Sequence, residues 1–275
     1  MAVLHASLEK NKATAFNPFL ILKYGRVLAS LVQIELRQRY AGSLLGIAWL
    51  FLYPLIFLAI YAGVYLAIFK VRIPELSNWG YVLTVFCGLV PYIGFSESLL
   101  QGSLSLVSNI NLLKNTVFPP ILIPVKAVLV AQVAHGVSLV ILFCMAWMLG
   151  RIHGTVWLIP VVFLFQYLLV QGLVWIISFV AIVIKDIQYV LNLLLFFILF
   201  VSPVAFTPEM APALMQKLLK FNPLYYAIEL YRYSFFGAEQ FPAIELGLFA
   251  ALSLIIFFFG HAFFRKNHPT LLEYV

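Results

Sequence analysis

Six long apolar stretches, separated by short polar segments, dominate the sequence. About 20 consecutive apolar residues cross a bilayer as an α-helix, and each stretch has close to that length or more. The stretches are continuous and lack the alternation of apolar and polar residues that a membrane β-barrel requires, so they predict helices. The expected fold is an all-α polytopic membrane protein with six transmembrane helices, at residues 44–69, 79–101, 120–149, 156–184, 188–206 and 243–264.

The segment of residues 18–40, before the first span, predicts an amphipathic helix that begins with Pro18 in its first turn. Its cations would face the headgroups while the helix lies flat on the membrane. Residues 1–43 are therefore expected to form a cytoplasmic N-terminus with an interface helix, which is either a plain anchor or a surface for a partner. At 100° per residue, the polar face carries Lys23, Arg26, Ser30, Gln33 and Arg37, and the apolar face carries Leu20, Tyr24, Val27 and Leu31.

Residues 207–236, just before the last span, are apolar but divided at Asn222-Pro223. Each half would form a helix of about 13 residues and about 20 Å, too short for about 30 Å of hydrocarbon. Irregular backbone at membrane depth must be buried in protein or line water. We expect a re-entrant helical hairpin at the outer face, which either caps the bundle or acts at the outer exit.

The loop of residues 102–119 would be the first cytoplasmic loop of the predicted domain, 44–264. It is long for a turn, and it predicts a short helix before Pro119-Pro120. The loop is either a plain connection or a contact surface, and Leu112, Leu113, Val117 and Phe118 would be apolar side chains facing the cytosol. Exposed groups of this kind usually contact a protein.

Composition and charge agree with a membrane protein. Hydrophobic residues are 64% and charged residues 10%, whereas soluble domains are about half apolar and a quarter charged. The net charge of +7 is attributed to topology and not to nucleic-acid binding. Lys and Arg are in excess on the side of the N-terminus, which places both termini, including the tail 265–275, in the cytoplasm.

Ionisable residues are nearly missing from the predicted spans. Lys126, a few residues inside the third span, is expected to extend outward, and His135 to be hydrogen-bonded in the bundle. Proton coupling needs titratable groups at depth and is disfavoured. The sequence has no Gly-rich phosphate loop, clustered metal ligands or paired carboxylates at depth. No catalytic or metal site is predicted, and any ATP used would be hydrolysed by another chain.

Four segments in one order resemble the membrane subunit of bacterial ABC-type polysaccharide exporters, which move O-antigen, teichoic acid or capsule. The resemblance covers about residues 18–264 and rests on "ELRQRYAGSLLGIAWLFLYPL" (35–55), "NINLLKNTVFPPILIPV" (109–125), "KDIQYVLNLLLFFILFVSPVAF" (185–206) and "NPLYYAIELYR" (222–232).

This resemblance implies an assembly and a substrate. Permeases of the family form homodimers in which each protomer docks on an ATPase subunit (two plus two), and ATP and Mg²⁺ bind to that subunit. The expected cargo is a glycan attached to a polyprenyl-phosphate lipid, and O-antigen is the glycan expected first. The cargo would be carried from the cytoplasmic to the outer leaflet of the inner membrane. Residues 109–118 are similar to the family's coupling helix, which implies ATPase contacts at Asn109, Asn111, Leu112, Leu113, Lys114 and Phe118.

Aromatic residues occupy every fourth position along the first predicted span. We call this set the aromatic stripe, and it consists of Trp49, Tyr53, Phe57, Tyr61 and Tyr65. It winds by about 160° along about 24 Å of helix. Each bare sugar hydroxyl in hydrocarbon costs several kcal/mol, and aromatic rings offer flat apolar faces with polar rims. The stripe is therefore a candidate substrate path, with Tyr92 and Phe95 as further candidates, and packing between spans is the alternative. The candidate outer exit comprises Glu209, Tyr225, Tyr226, Glu229, Arg232 and Tyr233.

The sequence alone leaves two other functions open. One is an exporter of the same architecture for a small lipid or drug. The other is a membrane-embedded glycan-modifying enzyme, which would need an acidic pair in an outer segment. Glu209, Glu229 and Glu239 are the nearby acids, and their spacing indicates no particular chemistry.

Overall fold

The computed structural model describes residues 18–68, 70, 77–110, 118–237 and 240–274, with side chains described between residues 23 and 267 of these ranges. Every regular element in these ranges is helical, as predicted. We number the ten α-helices of this part of the chain α1 Pro18–Tyr40, α2 Trp49–Gly63, α3 Asn78–Ser103, α4 Ser105–Ser108, α5 Leu122–Met148, α6 Leu158–Val183, α7 Ile187–Val201, α8 Ala213–Leu219, α9 Pro223–Phe236 and α10 Ala243–Tyr274.

Five helical segments in the described part of the chain are long and apolar enough to cross a membrane. Two of them include short turns of 3₁₀ or π helix that extend α2 and α6. These segments confirm five of the predicted spans. They are Gly46–Ile68, Asn78–Ser103, Leu122–Met148, Gly154–Val183 and Ala243–Asn267.

The helix at the fifth predicted span is shorter than expected. Residues 188–206 were predicted, but α7 ends at Val201 and its 15 residues are about 22 Å long. Ser202 adopts an extended conformation with ψ 147° because it precedes Pro203, and proline disfavours helical backbone at the residue before it. A run of apolar residues continues past this point, so hydropathy alone placed the boundary too late.

The segment after α7 divides at Asn222, as predicted. The Asn222 side chain accepts a hydrogen bond from the Leu224 amide (3.0 Å) and caps α9, and Pro223 occupies the first helical turn, where no amide is needed. Helix α9 has 14 residues and ends at Gly237, whose φ of 66° favours glycine. Helix α8 has only 7 residues, half the predicted length, because Pro208 and Pro212 interrupt the chain before it.

Helix α3 lies at the centre of the bundle, where it contacts α2, α5, α6, α7 and α9. Helices α6 and α10 form the most extensive helix pair. At their crossing the two backbones touch, since a Cβ on Gly172 would lie 2.6 Å from the carbonyl carbon of Ile256, and a Cβ on Gly260 would lie 2.7 Å from that of Gly172. Small residues at such crossings are how membrane helices approach closely.

Helix α1 is amphipathic, but its buried side differs from the prediction. The five predicted polar-face residues are all exposed. On the other side Leu28 is only 4% exposed, whereas Val27 is 48% exposed, and α1 packs against α5. The buried stripe is therefore centred on Leu28, with Tyr24 and Leu31 half-buried beside it, because the contact with α5 sets the rotation of the helix.

Candidate functional site

The aromatic stripe forms a nearly continuous row of rings along α2. The ring centroids of Tyr53 and Phe57 lie 6.1 Å apart with nearly parallel planes. Phe57 and Tyr61 are also 6.1 Å apart, and Tyr61 and Tyr65 are 5.1 Å apart. The indole of Trp49 donates a hydrogen bond to the Ser43 hydroxyl (3.0 Å) in the preceding turn. Successive rings at one-turn spacing thus form a surface of flat faces.

The stripe lies beside the buried side of α2 and changes environment along its length. Leu50, Pro54, Leu58 and Ala62 face the core, also at every fourth position. Trp49 and Tyr53 are 38% and 55% exposed, whereas the remaining three rings are half-buried and pack against the main core. Because a fourfold spacing drifts by about 40° per step, the N-terminal rings are open and the later ones lean on neighbouring helices.

A cavity of about 430 Å³ adjoins the open end of the stripe. Trp49 and Tyr53 line it, together with the side chains of Arg39, Glu97 and Gln101. Arg39 and Glu97 form an ion pair, and Gln101 donates a hydrogen bond to the same carboxylate (2.9 Å). The cavity therefore combines ring faces with a charge-balanced polar cluster.

Tyr92 and Phe95, the further path candidates, lie in the core of the protomer. They are 8% and 3% exposed. The Tyr92 hydroxyl donates to the Leu195 carbonyl (3.1 Å) and so connects α3 to α7. In this arrangement both side chains pack between helices, and their place on a substrate path stays a prediction.

Arg232, a candidate of the outer segment, is buried and holds irregular backbone. It is 7% exposed, and its Nη2 donates to the carbonyls of Pro203 (2.6 Å) and Val204 (3.0 Å). The next carbonyl, that of Ala205, accepts from the Tyr81 hydroxyl (2.8 Å). Three consecutive carbonyls outside any helix thus obtain side-chain donors, as buried backbone requires.

Glu229 forms an ion pair with Arg232, and Glu209 and Glu245 lie close enough to act on its charge. Its Oε1 lies 2.8 Å from the Arg232 guanidinium. Burial raises the pKa of the Glu229 carboxyl, and the charge of Arg232 opposes that rise. Glu209 is exposed, and Glu239 lies outside the described residues. Because Arg232 also holds the backbone before α8, the Glu229–Arg232 pair has a structural explanation.

The three tyrosines of the candidate outer segment are half-buried. Tyr225 and Tyr226 contact each other with ring centroids 5.2 Å apart, and the Tyr226 hydroxyl donates to the Lys220 carbonyl (2.8 Å) between α8 and α9. Tyr233 packs edge-on against Phe241 (6.0 Å), near the start of α10. These contacts position α9 against its neighbours and leave the exit role a prediction.

Two of the candidate ATPase-contact residues are described. Asn109 accepts a hydrogen bond from Lys126 (2.9 Å), and Phe118 packs edge-on against Tyr24 of α1 (6.0 Å). The others, Asn111, Leu112, Leu113 and Lys114, lie outside the described residues, so the coupling helix at residues 109–118 stays a prediction. The described start of the loop is helical, since α3 continues to Ser103 and α4 covers Ser105–Ser108.

Lys126 does not extend outward as expected. It is 6% exposed, and besides Asn109 its ammonium binds Glu35 of α1 (2.6 Å). Sequence reasoning missed this pair and the pair of Arg39 with Glu97. The sequence did contain a signal for the Lys126–Glu35 pair, because a lysine inside an apolar span needs a partner of opposite charge. Glu35 is the one acidic residue among residues 18–40.

His135 is fully buried and hydrogen-bonded within the bundle, as predicted. Its Nδ1 lies 3.0 Å from the Gln132 side-chain oxygen, and Gln132 donates to the Ser98 hydroxyl (3.1 Å) of α3. Gly94 leaves room for the imidazole, since a Cβ there would overlap it. Across the described residues, no group of three His, Cys, Asp or Glu side chains is placed to hold a metal ion.

Comparison with known proteins agrees with this architecture. A family model described as ABC-2 type transporter matches residues 26–236. The O-antigen export system permease protein RfbA of Myxococcus xanthus is 28% identical over 263 residues, covering 92% of this chain and 96% of the relative. RfbA of Klebsiella pneumoniae is 24% identical over 243 residues, covering 87% and 91%.

A third relative is named for a different polysaccharide. The polysialic acid transport protein KpsM of Escherichia coli is 24% identical over 240 residues, covering 86% of this chain and 92% of the relative. The relatives are transporter components by name. Since the family model spans well over half of this multi-pass membrane protein, the chain belongs to the ABC-2 type transporter family.

Proposed function

We propose that this chain is the membrane permease subunit of an ABC-type exporter that moves a polysaccharide. A separate ATP-binding cassette subunit binds ATP and Mg²⁺ and hydrolyses the ATP. The observation that supports this most directly is the similarity to permeases named for O-antigen and polysialic acid over nearly the whole of both chains. It agrees with the near absence of ionisable residues from the spans, which disfavours an ion-driven mechanism.

The proposed architecture has six spans, with α7 as the fifth, and a re-entrant hairpin made of α8 and α9. Support for the hairpin comes from residues 202–205, which are non-helical and buried and whose carbonyls bind Arg232 and Tyr81. Non-helical backbone at membrane depth is tolerated under this condition. The distribution of Lys and Arg supports an inner-membrane protein with both termini and α1 on the cytoplasmic side.

The proposed cargo is a glycan attached to a polyprenyl-phosphate lipid, with O-antigen as the first expectation. The aromatic stripe supports a glycan path because its rings can contact the C–H faces of sugars while their rims bind hydroxyls. Such contacts are weak and tolerant of geometry, which allows a long chain to slide. The cavity at Trp49 and Tyr53 would be the cytoplasmic start of the path.

The functional unit proposed is a homodimer with two ATPase subunits. Helices α2 and α7 support this, because each buries one narrow stripe and leaves large apolar side chains uncovered. On α7, Leu193, Phe196 and Phe197 are 73%, 61% and 62% exposed. A second copy would cover such faces and enclose a route for a hydrated polymer.

The test is loss of the chain in its own bacterium followed by reconstitution. Deletion is expected to remove the polysaccharide from the cell surface while lipid-linked glycan accumulates inside. In proteoliposomes, glycan should move only when the chain, its ATPase subunit and ATP are all present. Export by the chain alone would refute the proposal. Unchanged surface glycan with altered export of a small lipid or drug would support the other cargo class.

A further inference from the structure

Two ion pairs attach α1 to the bundle at positions one helical turn apart. Glu35 binds Lys126 of α5 (2.6 Å), and Arg39 binds Glu97 of α3. Residues four apart lie on the same face of a helix, so one face of α1 carries an anion and a cation that each meet the opposite charge. The helix is therefore fixed to two different spans at its C-terminal end.

Lys126 joins three elements through a single ammonium. Besides Glu35, it donates to the side-chain oxygen of Asn109 (2.9 Å). The amide nitrogen of Asn109 in turn donates to the Ser105 carbonyl (2.8 Å) and the Ser108 hydroxyl (3.3 Å) of α4. A buried ammonium without partners is costly, so this arrangement specifies where the start of the loop lies relative to α1.

The second ion pair lies at the cavity beside the aromatic stripe. Arg39 and Glu97 line that cavity together with Trp49 and Tyr53. Glu35 and Arg39, one turn apart on α1, therefore contact different functional regions of the proposed exporter. Glu35 is connected through Lys126 to Asn109, a predicted ATPase contact. Arg39 lines the cavity at the proposed start of the substrate path.

We propose that Lys126 is a positioning residue that couples Asn109 and α4 to α1, and that α1 transmits a displacement of α4 to the Arg39–Glu97 pair at the cavity. This inference rests on the proposed function, in which a separate ATPase subunit drives export, and on the predicted ATPase contact at Asn109. Because α1 is one continuous helix, a shift at Glu35 moves Arg39 with it. Without the Lys126 ammonium, Asn109 loses its connection to α1, and a displacement of α4 no longer reaches the cavity.

The experiment uses the complex of this chain with its ATPase subunit in proteoliposomes and measures ATP hydrolysis, glycan exported per ATP and melting temperature. Allosteric coupling between sites typically corresponds to about 5- to 150-fold. For Lys126→Met and for the milder Glu35→Gln we therefore expect glycan per ATP to fall about tenfold while hydrolysis continues. Arg39→Gln should do the same, and the matched control Arg37→Gln, an exposed cation of the same helix, should not.

Charge exchange separates positioning from simple stabilisation. The double variant Glu35→Lys with Lys126→Glu re-forms the pair with reversed signs and should restore most of the export per ATP. Failure of this rescue, with hydrolysis and melting temperature lowered together, would assign Lys126 a purely structural role. Wild-type export per ATP in all single variants would also overturn the inference and leave the proposed function intact. A wild-type complex that hydrolyses ATP without moving glycan would overturn the proposed function and the inference with it.

Discussion

At the scale of single residues, Tyr53 separates a path role from a packing role better than any other member of the aromatic stripe. Tyr53 is 55% exposed, so its ring contributes little to the core. Tyr61 and Tyr65, in contrast, pack against the core. A loss of function at Tyr53 therefore reports on substrate, because few protein contacts are lost with the ring.

For Tyr53→Ala we expect export of long glycans to slow about fivefold, which corresponds to about 1 kcal/mol of lost ring contact. The melting temperature should barely change. Reconstituted transport and thermal unfolding measure the two effects. Phe51→Ala is the matched control, since Phe51 is 48% exposed on the same helix but outside the stripe. Equal slowing in both variants would contradict a path along the stripe.

Arg232 gives the opposite expectation, because its role is to hold backbone. Arg232→Met removes the donors of two buried carbonyls and leaves Glu229 without its cation, which should lower the free energy of unfolding by about 3 kcal/mol. Denaturant titration in detergent would measure this. Lys217→Met is the control, since Lys217 is exposed on α8. An Arg232→Met protein as stable as the wild type would show that water can replace the guanidinium.

At the scale of elements, packing between helices sets constraints that hydropathy does not contain. Helices α6 and α10 are both strongly apolar, yet their contact depends on two glycines that let the backbones meet. The same helix α10 also carries Gly247, which has open space where a Cβ would be. The two glycines of one helix thus have different structural roles.

For Gly260→Ala we expect a destabilisation of about 1–3 kcal/mol, because the added methyl group would overlap the backbone of Gly172. Gly247→Ala should be neutral or slightly stabilising, since alanine favours helix. Thermal unfolding of the two variants in identical lipid nanodiscs provides the comparison. The same effect from both would mean that helix propensity, and not the crossing, decides the outcome.

The predicted ATPase-contact loop is also an element-scale hypothesis. Leu112→Asp or Leu113→Asp places a charge where an apolar contact is proposed, and should cost about 2 kcal/mol or more of docking free energy. Binding of the ATPase subunit to the chain in nanodiscs and export per ATP would both fall. Leu214→Asp, at a side chain that is 72% exposed on the proposed opposite face, should change neither. Wild-type docking in both loop variants would remove this loop from the coupling role.

At the scale of the whole molecule, the uncovered faces of α2 and α7 bear on assembly. Phe197 on α7 and Phe259 on α10 are each 62% exposed, so exposure alone does not distinguish an interface from a lipid-facing surface. Helix α10 is already paired extensively with α6, while α7 contacts the bundle along a narrow stripe. This difference favours α7 as part of the proposed homodimer contact.

We expect Phe197→Ser to shift the equilibrium of the proposed dimer toward monomer by about tenfold, which matches the loss of about 1–2 kcal/mol from burial of apolar surface. Phe259→Ser should leave the equilibrium unchanged. Native mass spectrometry from nanodiscs or single-molecule photobleaching would count the copies. A dimer that is weakened by Phe259→Ser instead would place the interface on α10.

Sequence reasoning predicted the elements well and their contacts poorly. The five long spans, the break at Asn222 and the buried hydrogen-bonded His135 all follow from local signals. Local signals did not predict three other features, which are the end of α7, the length of α8 and the buried side of α1. In the first two cases proline chemistry overrode the run of apolar residues, and in the third the neighbouring helix α5 set the rotation.

The sequence by itself determined that this chain is a bundle of membrane helices and where most of them begin and end, because hydrophobic length and helix capping depend on residues close together in the chain. Only the tertiary structure decided that Lys126 meets Glu35 and Asn109, and that Arg232 holds the carbonyls after α7. These partners come from different helices, and an apolar helix pattern does not specify which helices cross or at what height. Polar contacts between helices are therefore a property of the packed bundle.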